Sequence, residues 1–279
     1  MTRLALAALL ALAPLTACAQ DWISRIKATA APYEEIVRVA VRKDVEEPVL
    51  LSMTKPEQMP KRILLLFPGG DGIMKIQQKP GGKWFQLWGN YLIRERAQFV
   101  DDEDMAVSVD MPSDMYCCAN DVFRLGAQHA ADVGHILDAL AARFPGAQFY
   151  LVGTSKGTVS AASVGAALGS RLAGVVLTST VTLPSRDGNG LSGFDFGKIK
   201  VPVLVVHHKS DYCQVTPYSR MEGVASDHHF AMITVAGSEN AHGDYCQAFS
   251  YHGYAGREKQ VAAAIMGWVR TRAVAPTIP

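Results

Sequence analysis

The sequence predicts an α/β fold, with a mostly parallel central sheet flanked by helices. Apolar runs of strand length alternate along the chain with longer segments of helical period. Two of these runs, Ile63–Phe67 and Val201–Val206, are apolar at nearly every position, as expected of strands covered on both faces. The 279 residues are 49% hydrophobic, enough for a substantial core. We therefore expect residues 20–279 to form a single α/β domain.

Runs rich in β-branched and aliphatic residues define the strands. In chain order, the predicted strands cover 35–41, 49–53, 63–67, 105–109, 147–152, 171–178, 201–206 and 230–235. Glu46–Pro48 separates the first two, so a short antiparallel hairpin is expected there.

Helical periodicity is clearest in Arg124–Phe144, which Pro145 and Gly146 end. The other predicted helices cover part of 84–98, then 158–168, 216–224 and 257–272. Residues 179–200 contain several glycines and have the composition of a loop. This loop has only about 20 residues, shorter than a helical lid normally requires, so no large lid domain is expected.

Residues 1–19 have the features of a signal peptide. A short positive start, Met1–Arg3, precedes the apolar run Leu4–Leu15. Ala17–Ala19 then matches an A-x-A cleavage site. The apolar run is too short for a stable membrane span, and no later segment is longer and equally apolar. The expected location is therefore secreted or periplasmic.

A second interpretation applies to the same cleavage site. Leu15–Cys18 resembles a bacterial lipobox, in which Cys18 would be lipidated and become the mature amino terminus. The protein would then be anchored by lipid in the bacterial envelope. Both interpretations place the mature chain in an oxidising compartment.

The segment Gly153–Gly157 has the G-x-S-x-G form of a nucleophile elbow. An apolar strand precedes it and a run of small residues, Thr158–Leu168, follows it. Glycines on both sides of Ser155 permit a sharp turn and a close approach by other backbone. This context predicts a serine hydroxyl raised above the sheet edge, at the amino terminus of a helix.

The strand Ile63–Phe67 runs into the glycine-containing loop Pro68–Gly72. Glycines leave the backbone N–H groups of such a loop unobstructed by side chains. Beside an elbow, a loop of this kind is where an oxyanion hole can be built.

Ser155, Asp211 and a late histidine follow the chain order serine, acid, histidine. With the elbow and the Phe67–Gly72 loop, this order resembles the α/β-hydrolase superfamily over nearly the whole mature chain. Ser250–Glu258 also looks like a form seen in exported bacterial members. One departure is that the loop has Pro-Gly-Gly where lipases and esterases often have His-Gly-Gly.

The resemblance implies a role for each residue, and the chemistry requires the same roles. Ser155 would be the nucleophile, activated by a histidine base. Asp211 would hold that histidine in the right tautomer and stabilise its cation. The N–H of Lys156, with one from Gly70 or Asp71, would bind the developing oxyanion.

Two histidines compete for the role of base. His252 lies shortly before the closing helix, where the base of α/β-hydrolases usually sits, and it is the expected base. His242 follows the last predicted strand more closely and stays an alternative. His207 and His208, at the end of a strand, are expected to shape the pocket.

Other ring-bearing residues are expected to be structural. Trp84 and Trp88 stand at helical spacing, which is more typical of a core pair than of a ligand platform. His129 and His135 are expected on the surface of a crossover helix, away from the strand ends.

Four cysteines remain after residue 19, and four cysteines allow three pairings. We hypothesise a Cys213–Cys246 disulfide, because it would tether the loop of the acid to the loop of the base. Cys117 and Cys118 would then either pair with each other or stay reduced. No cysteine or histidine has zinc-site spacing, so no metal is expected.

The predicted function is that of a serine hydrolase that cleaves an ester or related acyl bond through an acyl-enzyme. No cofactor is needed for this chemistry. The balance of 27 basic and 26 acidic residues gives no reason to expect nucleic-acid binding. The alternatives are an acyltransferase or peptidase with the same triad, or a non-catalytic binding or envelope protein. The partner is then a small-molecule or acyl-bearing substrate; its identity and the oligomeric state stay open.

Overall fold

The computed structural model describes residues 24–27, 29–185 and 188–279. The predicted signal peptide, residues 1–19, and Cys18 lie outside the described residues. The strands are β1 (Tyr33–Arg42), β2 (Val45–Met53), β3 (Arg62–Phe67), β4 (Gln77–Lys79), β5 (Gly82–Trp84), β6 (Asp104–Val109), β7 (Gln148–Thr154), β8 (Gly174–Thr178), β9 (Val203–His208), β10 (Ala231–Val235) and β11 (Thr277–Ile278).

The helices alternate with these strands. Besides the helical residues 24–27, they are α1 (Tyr91–Arg94), α2 (Asp121–Leu125), α3 (Ala127–Arg143), α4 (Gly157–Leu168), α5 (Tyr218–His228) and α6 (Glu258–Thr271). Short 3₁₀ turns cover Arg96–Phe99, Ser113–Met115, Gly169–Arg171, Phe196–Lys198 and Tyr251–Gly253.

Within the described residues, a nine-stranded sheet has the order β1-β2-β6-β3-β7-β8-β9-β10-β11. Strands β1 and β2 are antiparallel to each other, and β2 is antiparallel to β6. All later neighbours are parallel, from β6–β3 through β10–β11. This confirms the predicted, mostly parallel sheet. The small pair β4–β5 stands apart from it.

Helices cover both faces of the sheet, as predicted. Alternate residues of β3 show the division: Ile63 and Leu65 pack with α3, α4 and α5, whereas Leu64 and Leu66 pack with α1 and α6. Since side chains alternate along a strand, both faces of β3 must be apolar, which explains its uniform composition. Between β8 and β9 the described residues contain only one 3₁₀ turn, which agrees with the expected lack of a large lid domain.

The hairpin turn differs from the prediction. It lies at residues 43–44, where Asp44 has a φ of 58°, and β2 runs straight through Glu46–Pro48. Proline is tolerated there because the ladder to β6 begins only at Val49. The helix predicted over 124–144 also starts earlier and divides at Gly126 into α2 and α3.

Strand β11 was not predicted. It has only two residues, too few for any pattern to emerge in the sequence. In the part of the chain that the structure describes, no helix combines the length and apolarity that a membrane crossing requires.

Candidate active site

The turn from β7 into α4 places Ser155 at the carboxyl edge of the sheet. Its φ is 53°, in the left-handed region that serine rarely adopts. The Ser155 N–H donates to the carbonyl of Thr178 on β8 at 3.0 Å. The Ser155 carbonyl accepts from the Thr158 N–H at 2.9 Å and from the Thr158 hydroxyl at 2.5 Å. Hydrogen bonds on both sides therefore hold the unusual backbone conformation.

The glycines of the elbow are required by packing. A Cβ at Gly157 would lie 2.0 Å from the Phe67 carbonyl oxygen, and one at Gly153 would lie 2.5 Å from the Gly157 oxygen. On the opposite side, a Cβ at Gly69 would lie 2.8 Å from the Cβ of Ser155. The sharp turn thus brings three backbone segments closer together than any side chain would allow.

Asp211, in the loop after β9, lies beside His252. Its Oδ2 accepts a hydrogen bond from His252 Nδ1 at 2.9 Å and another from the Thr216 hydroxyl, also at 2.9 Å. Its Oδ1 accepts the N–H of Cys213 at 3.0 Å. Burial opposes the negative charge, but the contacts with His207 and His252 outweigh it, so the pKa of Asp211 lies below its ordinary value.

The ionised Asp211 fixes the proton arrangement of His252. Nδ1 must donate toward the carboxylate, which leaves Nε2 as the unprotonated nitrogen of the neutral ring. Nε2 is buried and has no hydrogen-bond partner among the described residues. His252 and Ser155 line the same pocket. The ring is therefore arranged to accept a proton inside that pocket.

The backbone around His252 is held by three side chains that the sequence did not single out. The Ser179 hydroxyl donates to the His252 carbonyl at 2.7 Å, and Ser250 Oγ accepts the His252 N–H at 3.2 Å. Arg94 Nη2 donates to the carbonyl of Gly253 at 2.8 Å. The contacts of Ser179 and Arg94 join residues far apart in the sequence, so no local pattern indicates them.

His242 occupies a different position. It is exposed, its Nδ1 lies 2.7 Å from the Asn240 carbonyl oxygen, and its ring stacks on Phe249 with centroids 5.7 Å apart. The imidazole that is hydrogen-bonded to Asp211 belongs to His252.

The predicted oxyanion residues divide into two groups. Gly70 and Lys156 line the pocket with Ser155, and so does Gly69, which was not predicted. Asp71 is exposed and outside the described lining; its Oδ1 accepts the N–H of Ile73 at 3.0 Å.

A buried arginine supports the loop of Gly70. Arg124 is 1% exposed; its Nη1 donates to the Ser160 hydroxyl at 2.7 Å and its Nη2 donates to the Gly70 carbonyl at 3.3 Å. Burial lowers its pKa to about 10, although the nearby carboxylates of Asp121 and Asp71 act in the opposite direction. Arg124 thus joins the glycine loop to the helix that follows the elbow.

The pocket above Ser155 has a volume of about 1040 Å³. Its wall is formed by residues that follow β3, by residues around β5 and α1, and by the loop that precedes His252. The lining side chains outside the elbow include Trp84, Gln86, Leu87, Trp88, Asn90, Tyr91, Val181, Ser185, Val215, Gln247 and Phe249. Trp84 and Trp88 are only partly buried, so they do not form the predicted core pair, although Trp88 packs against a small hydrophobic cluster. Trp84 ends β5 and Trp88 follows it in a loop, so helical spacing did not apply.

A disulfide joins Cys213 to Cys246, which confirms the hypothesised pairing. Both cysteines line the pocket. The bond links the loop that carries Asp211 to the loop that carries His252. Cys117 and Cys118 are free and exposed.

Of the remaining histidines, His135 is exposed on its helix as expected, whereas His207, His208 and His129 differ from the expectations. His207 and His208 are fully buried and lie outside the described pocket lining. His207 Nε2 lies 2.9 Å from the Thr216 carbonyl and 3.4 Å from Asp211 Oδ2, so it supports the acid instead of shaping the pocket. His129, expected on a helix surface, is fully buried.

Residues that could hold a metal ion do not gather in the described ranges. His, Cys, Asp and Glu side chains form no group of three or more there with suitable geometry.

No protein-family model matches the chain, and neither does any curated protein sequence. Several solved structures resemble it. Est1E from Butyrivibrio proteoclasticus is 12% identical, with a TM-score of 0.57 over 84% of this chain and 97% of Est1E. XC6422 from Xanthomonas campestris, an α/β serine hydrolase without a lid, is 12% identical, with a TM-score of 0.56 over 88% and 97%. A membrane phospholipase A, a bacterial virulence factor, is 14% identical, with a TM-score of 0.57 over 91% of each chain. Together with the strand order and the elbow, these likenesses show that the chain has the α/β-hydrolase fold.

Proposed function

We propose that this protein is a serine hydrolase that cleaves an ester or related acyl bond through an acyl-enzyme. The observation that carries the proposal is the buried pair of Asp211 and His252, joined at 2.9 Å, beside a pocket that Ser155 also lines. The proposal is also supported by His252 Nε2, which is buried and has no hydrogen-bond partner among the described residues. A buried nitrogen without a partner is costly unless a substrate or a reacting group uses it.

In the proposed reaction, Ser155 Oγ attacks the acyl carbon while His252 Nε2 takes the hydroxyl proton. The bond to the leaving oxygen then breaks, and the same proton passes to that oxygen. Water attacks the acyl-enzyme in the same way, which releases the acid and restores Ser155. Asp211 stays ionised throughout and stabilises the imidazolium.

The oxyanion that forms in both steps needs hydrogen-bond donors. The backbone N–H groups of Lys156 and of Gly70 are the proposed donors, because both residues line the pocket next to Ser155. Asp71 is the weaker choice, because it lies outside the described lining and its side chain closes a local turn.

A fluorophosphonate probe tests the nucleophile. We expect the folded protein to be labelled at Ser155, and Ser155→Ala to remain unlabelled. Failure to label the folded wild type would favour a non-catalytic binding or envelope protein on the same fold.

The base is tested by comparing His252→Ala with His242→Ala on an activated ester. Loss of the general base is expected to lower kcat by about 10²- to 10⁴-fold in the first variant. The second variant should retain activity, because His242 is exposed and stacks on Phe249. The opposite result would exclude His252 as the base.

Acyl transfer and peptide cleavage are the nearest alternatives, since the same side chains serve both. Adding an alcohol or amine acceptor during ester turnover separates acyl transfer from hydrolysis, and comparing an ester with the matching amide separates ester from peptide cleavage. A hydrolase should release the free acid in preference to the transfer product.

We further propose that the chain is exported, with residues 1–19 removed as a signal peptide and 20–279 forming one domain. The disulfide and the signal-like amino terminus support this. The mass of the mature protein separates plain cleavage from lipidation at Cys18, because a lipid adds a large increment.

A further inference from the structure

Three aromatic side chains line the Ser155 pocket without any part in the proposed proton transfers. They are Trp84, Trp88 and Phe249, named here the aromatic wall. Phe249 is 37% exposed, although large hydrophobic side chains usually avoid solvent. A partly exposed aromatic group inside a pocket is the type of surface that ligands cover.

The aromatic wall is assembled from two separate segments that contact each other. The rings of Trp88 and Phe249 have centroids 6.4 Å apart and are tilted by 50°. The backbone also approaches closely, since a Cβ at Gly89 would lie 3.4 Å from the Phe249 ring. The Cys213–Cys246 disulfide fixes the second segment only three residues before Phe249. The aromatic wall is thus formed before any substrate binds.

A cation covers one face of each ring. This arrangement restrains the three rings in the aromatic wall. The distances from cation to ring centroid are 3.8 Å for Lys79 on Trp84, 5.1 Å for Arg25 on Trp88 and 5.0 Å for Arg94 on Phe249.

The size of the pocket and the charges of its lining restrict the class of ligand further. A pocket of about 1040 Å³ is at the upper end of the range for drug-sized ligands. Among the described lining residues no side chain is a carboxylate, and Lys156 is the one with a permanent charge. A cationic group would find no counter-ion there, so its burial would be unfavourable.

We propose that the pocket takes esters that carry a bulky, ring-bearing group without a positive charge, which stacks on the aromatic wall. This inference rests on the proposed function and names the substrate class for the same site. The ring adds favourable aromatic contacts beyond those of a linear chain that buries similar area.

The experiment compares esters whose other half is small and not aromatic. On the acyl side, methyl 3-phenylpropanoate is compared with methyl nonanoate, which has the same number of acyl carbon atoms. On the alcohol side, 3-phenylpropyl acetate is compared with nonyl acetate. In at least one arm, kcat/KM for the ring ester should exceed that for the linear ester by about two- to tenfold. Equal values, or a preference for the linear ester in both arms, would overturn the inference.

Substitutions in the aromatic wall test whether it causes the preference for ring esters. Trp88→Ala and Phe249→Ala should lower kcat/KM for the ring ester more than for the linear ester and so remove the preference, and Trp88→Phe should retain part of it. Tyr245→Ala is the matched control, because Tyr245 is an aromatic residue of the same loop, 62% exposed and outside the described lining. A ring preference that survives both alanine changes would also contradict the assignment.

Methyl acetate turnover and fluorophosphonate labelling keep the two proposals apart. If both occur without a preference for the ring, only the substrate class is wrong. If neither occurs, the proposed function fails, and this inference fails with it.

Discussion

A single guanidinium, that of Arg94, holds three segments around the candidate site. Nη1 donates to the Gly89 carbonyl at 2.7 Å, on the pocket wall. Nη2 donates to the Gly253 carbonyl at 2.8 Å and to Glu258 Oε1 at 2.9 Å. Gly253 directly follows His252, so Arg94 positions the proposed base without contact with a substrate.

Replacing Arg94 by lysine keeps the charge but removes the planar set of donors. We expect kcat to fall by about tenfold or more while KM changes little, since small displacements of a catalytic group are costly. Steady-state kinetics and the rate of fluorophosphonate labelling measure this. Glu258→Gln, which keeps both carbonyl contacts, should retain kcat. If Arg94→Lys lowers stability but leaves the labelling rate unchanged, Arg94 is structural only.

His129 shows how burial shifts the pKa of a side chain. Its ring packs between Phe67 and Phe123, and neither ring nitrogen has a hydrogen-bond partner among the described residues. Burial, and secondarily the charge of Arg124, lowers its pKa from 6.5 to about 3.

The free energy of unfolding should therefore depend on the protonation of His129. Below pH 6.5 the unfolded chain binds a proton there, whereas the folded chain does not until about pH 3, so stability falls as the pH falls through this interval. Between pH 6.5 and 5, the wild type should lose about 1.6 kcal/mol more than His129→Leu. Denaturant titrations at both pH values measure this difference. Parallel losses in the two proteins would contradict it.

At the scale of the element, the elbow depends on a close contact between backbones. A side chain at Gly157 would meet the carbonyl of Phe67, which cannot move without shifting β3. Gly157→Ala should lower the free energy of unfolding by about 2–3 kcal/mol. Gly223→Ala, in the middle of α5 with no atom near its Cβ position, should instead raise it by about 0.5–1 kcal/mol. Denaturant midpoints of the two variants measure these changes. If both variants change the free energy of unfolding equally, the packing argument is wrong.

The sequence predicted those elements whose signals are local. The elbow has its residues within one turn, and β3 is apolar at five adjacent positions because helices cover both faces. His129 was misplaced although a signal existed. It stands four residues before Val133, on the same helical stripe that packs into the core.

Other features had no local signal. Ser179 and Arg94 hold the backbone of His252 and Gly253 from distant parts of the chain. Pro48 misled the prediction, because a proline usually interrupts a strand and here it is tolerated next to the start of a ladder. Features of this kind can be recognised only once the tertiary contacts are known.

At the scale of the whole molecule, the Cys213–Cys246 bond ties two distant loops into one site. It closes a loop with a sequence separation of 33 residues. Replacing both cysteines by serine should lower the free energy of unfolding by about 3–4 kcal/mol, chiefly because the unfolded chain gains freedom. Catalytic activity should fall as well, because the disulfide restrains the loop in which the backbone N–H of Cys213 holds Asp211.

Denaturation curves and kcat measurements test this pair of effects. The double replacement of Cys117 and Cys118, which are exposed and unpaired with other cysteines, is the matched control and should leave both quantities unchanged. A Cys213/Cys246 variant as stable as the wild type would show that the bond contributes little.

The two-residue strand β11 covers one edge of the sheet, through which other chains could otherwise associate. The carbonyls of Pro276 and Ile278 accept the N–H groups of Thr234 and Ala236, at 2.9 and 2.8 Å, so they occupy the outer side of β10. Without β11, those donors would form an open sheet edge, a ready template for strand addition and aggregation. By occupying these donors, β11 is expected to reduce aggregation through strand addition to β10.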